Sequence, residues 1–331
     1  MIRVDKINSD SKRGMKYFSF NTNIFQSPQM FKVYQKTKNY EPLFLVAVNE
    51  EEEVVGSLLA VIQKEHSGFL GKFSARSIIM GGPVVKDNDT VVLDYLLKEY
   101  LKQIKGKAIY TQVRNFVDQS WAKKTFEENG FNYEPHLDII HYIDQPLDKQ
   151  FSMIHKGRRK NIRRAERAGV IFKEINTEKE FDQAIELVAS TYKRVKLPMP
   201  PKSFFFNSLE YLTSDVLKTF IAEYKREIIG CRMVLCYNDL IYDWYAGASG
   251  KYLNLYPNDF LPWKILEWGH NNGYKIFDFG GAGKPGVPYG VRDHKMKFGG
   301  ELVEFGRFEK IHNKLLLQIG KFGLALYKRV I

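Results

Sequence analysis

The feature that most constrains this chain is an internal repeat. Leu43–Ile62 and Lys218–Tyr237 each read as an apolar strand, a charged turn and a second apolar strand, with Gly56 and Gly230 at matching places. β-Branched and apolar runs around a polar turn are a hairpin signal. In each copy a further strand is expected, Ala75–Val85 and Leu240–Ala248. An amphipathic helix follows, Val91–Lys105 and Phe260–Asn272, and then another strand, Lys107–Val113 and Tyr274–Phe279. So long a repeat is wrong for a solenoid and right for duplicated domains. The fold class expected is α+β, as two tandem domains with mixed, mainly antiparallel sheets.

A chain of 331 residues, 44% hydrophobic and 14% aromatic, can fill two cores. The boundary is placed near Tyr142–Lys149, where a polar, proline-containing stretch interrupts the periodicity. This gives a first domain over 1–145 and a second over 146–310, with a C-terminal helix over 311–331 packing back on the first. Phe151–Ala168 reads as one strongly basic helix stopped by Gly169. Cys231 and Cys236, five apart in a strand-like run, point to opposite faces as buried thiols. No zinc-ligand pattern appears, and no metal is expected. The start of the chain has no apolar stretch behind its charges, and no run nears the roughly 20 apolar residues of a membrane span. The expected location is the cytoplasm.

A formal net charge of +12 favours anionic partners: nucleic acid, a phosphorylated precursor or a membrane surface. Much of it sits in the basic helix, where Lys156, Arg158, Arg159, Lys160, Arg163, Arg164 and Arg167 face a single Glu166. That pattern fits a solvated face and a phosphate-gripping surface equally. The glycine-rich stretch Asp278–Gly286 fails as a phosphate loop, because Asp278 and Pro285 stand where Gly and Ser or Thr are needed. It reads as a strand ending at Phe279, followed either by a loop that lets a ligand approach closely or by a purely structural turn. Downstream, Lys295 or Lys297 is a candidate oxyanion stabiliser, and strand-like alternation aims one of them at the site. His294 is a candidate general base. The aromatics Tyr242, Trp244, Tyr245, Tyr252, Tyr256, Phe260 and Trp263 are dense enough to suggest a pocket wall.

The duplicated unit, the basic "HKGRRKNIRRAERAGV", "YDWYAGAS", "FDFGG" and "HKMKFGGELVEF" together resemble the FemABX aminoacyltransferases, most strongly over 154–308. The resemblance implies two tandem acetyltransferase-like (GNAT) domains. It also implies transfer of an aminoacyl group from aminoacyl-tRNA to an amine of a peptidoglycan precursor peptide, with no cofactor. The family's Phe-Lys-x-x-Phe-Gly segment falls on His294–Gly299 and selects Lys295. The segment "FQSPQMFKVY" matches the precursor-contacting segment and puts Lys32 near substrate phosphates, with Met30 at the usual tryptophan position. Arg158, Arg159, Lys160, Arg163 and Arg194 are then expected on donor or acceptor phosphates, and Tyr245, Tyr256, Asp278 and Gly280 around the substrate. Peripheral contact with the inner face of the membrane is a further expectation. The sequence departs from the family at Pro200-Pro201, where an arginine is usual, and at Gln112–Asn115, where an Arg-x-Asp-Pro element is usual. The long helical arm of some members is absent. Two rival readings stand beside this one: an acyl-CoA-dependent N-acyltransferase acting on a surface polysaccharide or lipid precursor, and a non-catalytic binding protein of the same fold. Against the first rival, neither copy shows an Arg/Gln-x-x-Gly-x-Gly/Ala loop.

Overall fold

The structure, a computed structural model, describes residues 2–7, 23–65, 71 and 73–320. They form two compact units. The first comprises the described residues up to Pro135, Phe206–Tyr211 and those from Phe305 on; the second comprises His136–Phe205 and Leu212–Glu304. In chain order the elements are β1 (Arg3–Ile7), α1 (Pro28–Lys36), β2 (Tyr40–Val48), β3 (Val54–Gln63), β4 (Arg76–Met80), β5 (Val84–Val85), α2 (Thr90–Ile104), β6 (Tyr110–Arg114), α3 (Lys123–Glu128) and β7 (Asn132–Glu134). Then come β8 (Leu137–Tyr142), α4 (Leu147–Met153), α5 (Lys156–Arg167), β9 (Ile171–Glu174), α6 (Glu178–Arg194), α7 (Lys202–Tyr211), β10 (Leu217–Tyr224), β11 (Glu227–Tyr237) and β12 (Leu240–Ala248). The chain continues through α8 (Pro257–Asn271), β13 (Ile276–Gly283), α9 (Gly290–Met296), β14 (Glu301–Glu304) and β15 (Arg307–Ile311), with a last helix, α10, at 314–320.

Each unit is built on one mixed sheet. The first runs β1-β2-β3-β4-β6-β15-β7, with β5 also on β3; the second runs β14-β8-β13-β12-β11-β10-β9. In both, a single parallel pair, β4–β6 or β12–β13, lies inside an otherwise antiparallel sheet. The strand beyond that pair is β15 in the first sheet and β8 in the second. So the strand directly after β7 builds the second sheet, and the end of the chain completes the first.

The two glycines that betray the repeat have the same job. Gly56 pairs with Ala47 and Gly230 with Ala222, each beside a bulge. A Cβ at Gly56 would meet Val92 and Leu96 of α2; one at Gly230 would meet Pro257 and Leu261 of α8. Only a bare backbone lets each helix lie this close to its sheet. Helix α2 buries Leu93, Leu96, Leu97, Tyr100 and Ile104 at helical spacing, and α8 buries Phe260, Leu261, Ile265 and Leu266 likewise. Cys231 and Cys236 are free and buried. Cys231 donates to the Ala184 carbonyl of α6, while Cys236 joins the core with α8, so they occupy opposite faces of β11.

Several expected boundaries move. The single basic helix over Phe151–Ala168 is two helices, because His155 is extended (ψ 135°) and its ring caps the Gly157 N–H to open α5. Gly169, at φ +84°, does end that segment. Ala75–Val85 breaks into β4 and β5 at Gly81 and Gly82, both at positive φ. The strand expected to stop at Phe279 runs to Gly283. Of the C-terminal helix, 314–320 is seen, and 321–331 lie outside the described residues.

Gly247 on β12 lets α6 pass directly over the strand, and a Cβ there would strike the backbone of Leu187 and Val188. Backbone cannot yield as a side-chain tip can. Gly247→Ala should therefore lower stability by about 1–3 kcal/mol, the usual cost of overpacking. Gly290→Ala, with nothing within 4 Å of the new Cβ, should leave the melting temperature almost unchanged in the same scan.

Candidate functional site

In the second unit the parallel pair opens. β12 and β13 are in register from Leu240↔Ile276 to Tyr242↔Asp278, and pairing then stops although both strands continue. In the first unit β4 and β6 stay paired over five positions, Arg76↔Tyr110 to Met80↔Arg114. There Ile79 and Val113, fully buried, hold the ladder closed. The corresponding positions of the second unit carry Asp243 and Phe279. A buried backbone group without its ladder partner must find another.

Lys295 supplies it. Its ammonium donates to the carbonyls of Phe279 (2.5 Å), Gly281 (3.0 Å) and Gly280 (3.3 Å), one for each of its three hydrogens. Burial lowers its proton affinity, opposed by the carboxylates Asp243, Asp278 and Asp138 and assisted by Arg232. Lys297 is exposed. The two lysines are separated because α9 is a helix, not the strand expected: positions two apart on a helix face different ways.

Asp278, 2% exposed, closes the split from the β13 side. Its Oδ1 accepts from the Gly280 N–H at 2.6 Å, and Gly280 holds φ +68°. Burial raises its carboxyl to about 7, against the pull of that hydrogen bond and of Lys295. Asp243 on β12 is ion-paired through Oδ2 with Arg232 of β11, itself 7% exposed. Burial pushes the Asp243 carboxyl up as well, opposed by Arg232 and then Lys295. Its Oδ1 is buried and has no hydrogen-bond partner among the described residues. Arg232 and Asp243 were not anticipated. They lie on neighbouring strands, and only the pairing register with its bulge before Val234 brings them together.

His294 packs its ring against Phe298, 5.4 Å between centroids. Burial, then Arg158 and Arg232, lowers it to about 4, so it is neutral and weakly basic at neutral pH. Arg158 is not on the outward face of α5. It donates to the buried Asp259 Oδ1 of α8 at 2.6 Å, while Asn161 donates to Oδ2 at 2.7 Å. Arg159, Lys160 and Arg163 point the other way and, with Lys156 and Arg167, line one open hollow. Arg163 also lies over the Phe151 ring. Arg164 donates to the Tyr256 hydroxyl at 3.1 Å, and Tyr256 sits in the left-handed region at the start of α8.

The aromatic run divides. Phe260 and Trp263 are core. Trp244, Tyr245 and Tyr192, half-buried, pack at tilted and edge-on angles with the buried Phe204 and Phe205 in the same unit. Arg194 reaches the Ala248 carbonyl (3.5 Å) and Thr191 (3.4 Å). Lys32 is exposed on α1 of the first unit. The loop after β13 is stapled by Arg292, which donates to the carbonyls of Ala282, Lys284 and Val287. Among the described residues no group of three His, Cys, Asp or Glu side chains is placed to hold a metal, and no helix is long and apolar enough to cross a membrane.

Known proteins share this architecture. Residues 155–296 match the family described as acetyltransferase (GNAT) domain. No curated protein matches the chain by sequence. Among solved structures, FemX superposes with a TM-score of 0.69 at 16% identity, covering 95% of this chain and 99% of that one. The C-terminal domain of a putative lysylphosphatidylglycerol synthetase from Agrobacterium fabrum gives 0.60 at 12% identity, over 93% and 94%. A tandem GNAT protein from the clavulanic acid biosynthesis pathway gives 0.57 at 8%, over 95% and 99%. The chain thus has the tandem GNAT fold that its resemblance to the FemABX proteins implied, and the match to the acetyltransferase (GNAT) domain falls in its second unit.

The Asp278 carboxyl carries a stability signature. Raised from about 4 in an unfolded chain to about 7, it holds a proton in the folded state that the unfolded chain releases. Its contribution to stability is complete below pH 4 and is lost as the pH rises towards 7. Asp278→Asn removes that loss. The melting temperature of the variant, relative to the parent, should climb between pH 4.5 and pH 8 and then level; a constant difference across the range would contradict this placement.

Proposed function

We propose that this chain transfers an aminoacyl group from aminoacyl-tRNA to an amine of a peptidoglycan precursor peptide. The observation that carries the reading is Lys295. The position selected by the FemABX resemblance is a half-buried lysine whose ammonium is held at the split of the parallel strands in the unit matching the GNAT domain. The acceptor amine attacks the ester carbonyl carbon, a C–N bond forms, and the carbonyl oxygen becomes an oxyanion. Lys295 stabilises that charge by turning one N–H from the Gly280 carbonyl, its longest bond at 3.3 Å, to the oxyanion. As the intermediate collapses, the C–O bond to the tRNA ribose breaks, and the amine's proton passes to the ribose hydroxyl. Asp278, with its proton affinity near neutrality, is suited to carry it between them.

Arg159, Lys160 and Arg163, which line the open hollow on α5, hold donor or acceptor phosphates, while Arg158 anchors α5 to α8. Lys32 and Arg194 are further phosphate contacts, and Tyr245 and Tyr256 further substrate contacts. His294, its ring packed on Phe298, holds the segment that carries Lys295. The protein works in the cytoplasm, with peripheral contact at the inner face of the membrane where a lipid-linked precursor is presented. Aminoacyl-tRNA replaces any cofactor.

The donor is tested by supplying labelled aminoacyl-tRNAs, and separately acetyl-CoA, with cell-wall precursors. Consumption of the aminoacyl donor supports this reading; consumption of acetyl-CoA alone replaces it with the acyl-CoA alternative, which the acetyltransferase match favours. In the productive assay, Lys295→Met should cost about two to three orders of magnitude in turnover, whereas Lys297→Met should cost little.

Replacing Arg159, Lys160 and Arg163 together by Ala should weaken tRNA binding. It should also flatten the salt dependence, by roughly 0.7 to 0.9 in log–log slope for each phosphate that is no longer neutralised. Unchanged affinity and slope would mark that face as merely solvated. Arg158→Ala belongs to a different experiment, since it strips a buried carboxylate of its partner and should lower the melting temperature instead.

A further inference from the structure

The split between β12 and β13 leaves one polar atom unaccounted for. Asp243 is the first residue of β12 beyond the last parallel pair. Its side chain is 8% exposed, Oδ2 is taken by Arg232, and Oδ1 has no partner among the described residues. The donors around it are already committed. Lys295 directs its three hydrogens to the carbonyls of β13, and the Gly280 N–H is held by Asp278. Buried carboxylate oxygens are ordinarily hydrogen-bonded, so this one calls for a donor that the described residues do not supply.

The charge of the surroundings says what kind of donor. Around Lys295 the acting groups are Asp243, Asp278 and Asp138 against Arg232 and Lys295 itself. Of the cations, Arg232 is spent on Oδ2 and the Lys295 hydrogens on carbonyls. A cation with N–H donors makes a stronger, charge-assisted bond to the remaining oxygen than a neutral hydroxyl or amide does. Guanidinium is already present as Arg232, bound to the other oxygen, and the three carboxylates are not arranged to hold a metal. A small ammonium meets the demand.

We propose that the mouth of this split is a subsite for a primary ammonium, with the free oxygen of Asp243 as its principal acceptor and Asp278 as the neighbouring carboxylate. The raised proton affinity of Asp278 fits the same account, since burial first and then the Asp243 charge disfavour its ionised form. The inference deepens the functional reading above and rests on it. An aminoacyl donor carries an ammonium beside its reactive carbonyl, whereas an acetyl group carries none. The acceptor amine in its protonated form offers the same group, so either substrate is a source, and the subsite discriminates against simple acyl donors in both cases.

The experiment uses the full chain at pH 7.5 and four small probes: glycinamide, ethylamine, acetamide and N-acetylglycinamide. Binding is read by calorimetry or by shifts of the Gly280 and Gly281 amide resonances. Glycinamide should bind at least about tenfold tighter than acetamide or N-acetylglycinamide, a preference typical of a charge-assisted hydrogen bond. Asp243→Asn, checked for its melting temperature, should abolish that preference. Binding by glycinamide but not ethylamine assigns the subsite to the α-ammonium of the donor; equal binding by both assigns it to the acceptor amine. Equal binding of glycinamide and acetamide, or no binding of either ammonium probe, overturns the proposal. The wild-type comparison decides this even where Asp243→Asn fails to fold. Aminoacyl transfer without ammonium binding would sink the subsite and leave the functional reading standing; ammonium binding without transfer would do the reverse.

Discussion

The second unit is organised around a break in its backbone pairing. Two parallel strands that start in register stop pairing after Tyr242 and Asp278, and beyond that point three consecutive carbonyls of β13 accept from a side chain. The Lys295 ammonium serves all three. A lysine is the side chain suited to this, because its hydrogens radiate from one atom, while an arginine spreads its donors in a plane. From that single commitment the rest of the site follows. The charge is drawn inside, carboxylates gather to balance it, and one of them, Asp278, turns a backbone N–H of the same bulge into its own hydrogen-bond donor.

The first unit shows what happens without the break. Its parallel pair runs on through Ile79 and Val113, and the polar side chains of that pair bond one another. The Tyr100 hydroxyl lies 2.7 Å from both Ser77 and Thr111, which face each other across the same pair. Both units use one topology and one glycine to seat a helix against the sheet. They differ at the position following the last shared pair, where an apolar residue closes the ladder and an aspartate leaves it open. A duplicated fold can thus keep its scaffold in both copies and concentrate chemistry in one.

What the sequence disclosed follows the range of each interaction. The repeat, the hairpins and the paired glycines were legible because period-two patterning and a turn are local properties. Lys295 is the interior lysine of its pair, but alternation along a strand does not explain why, since Gly290–Met296 is helical. The seven cations of the basic segment look equivalent in one dimension. Helical geometry separates Arg158, turned to Asp259 one hundred and one residues away, from Arg159, Lys160 and Arg163 on the opposite side. Asp243 was hidden inside an aromatic run. Its partner Arg232 is found only through the pairing of β11 with β12 and the bulge that shifts their register. The perturbed proton affinities were equally invisible, because burial, not residue type, produces them.

The distribution of charge in the second unit has a final consequence. A buried carboxylate is costly unless it is paired and fully hydrogen-bonded. Asp259 meets that condition: Arg158 and Asn161 take one oxygen each, and the result ties α5 to α8. Asp243, similarly buried, meets it by half. Two aspartates in one unit, both facing an arginine, therefore differ in whether their second oxygen is served by the protein. Where it is served, the pair is structural. Where it is not, the fold keeps an unserved carboxylate oxygen where β12 and β13 part, among titratable groups that burial perturbs, the kind of grouping that clusters at functional sites.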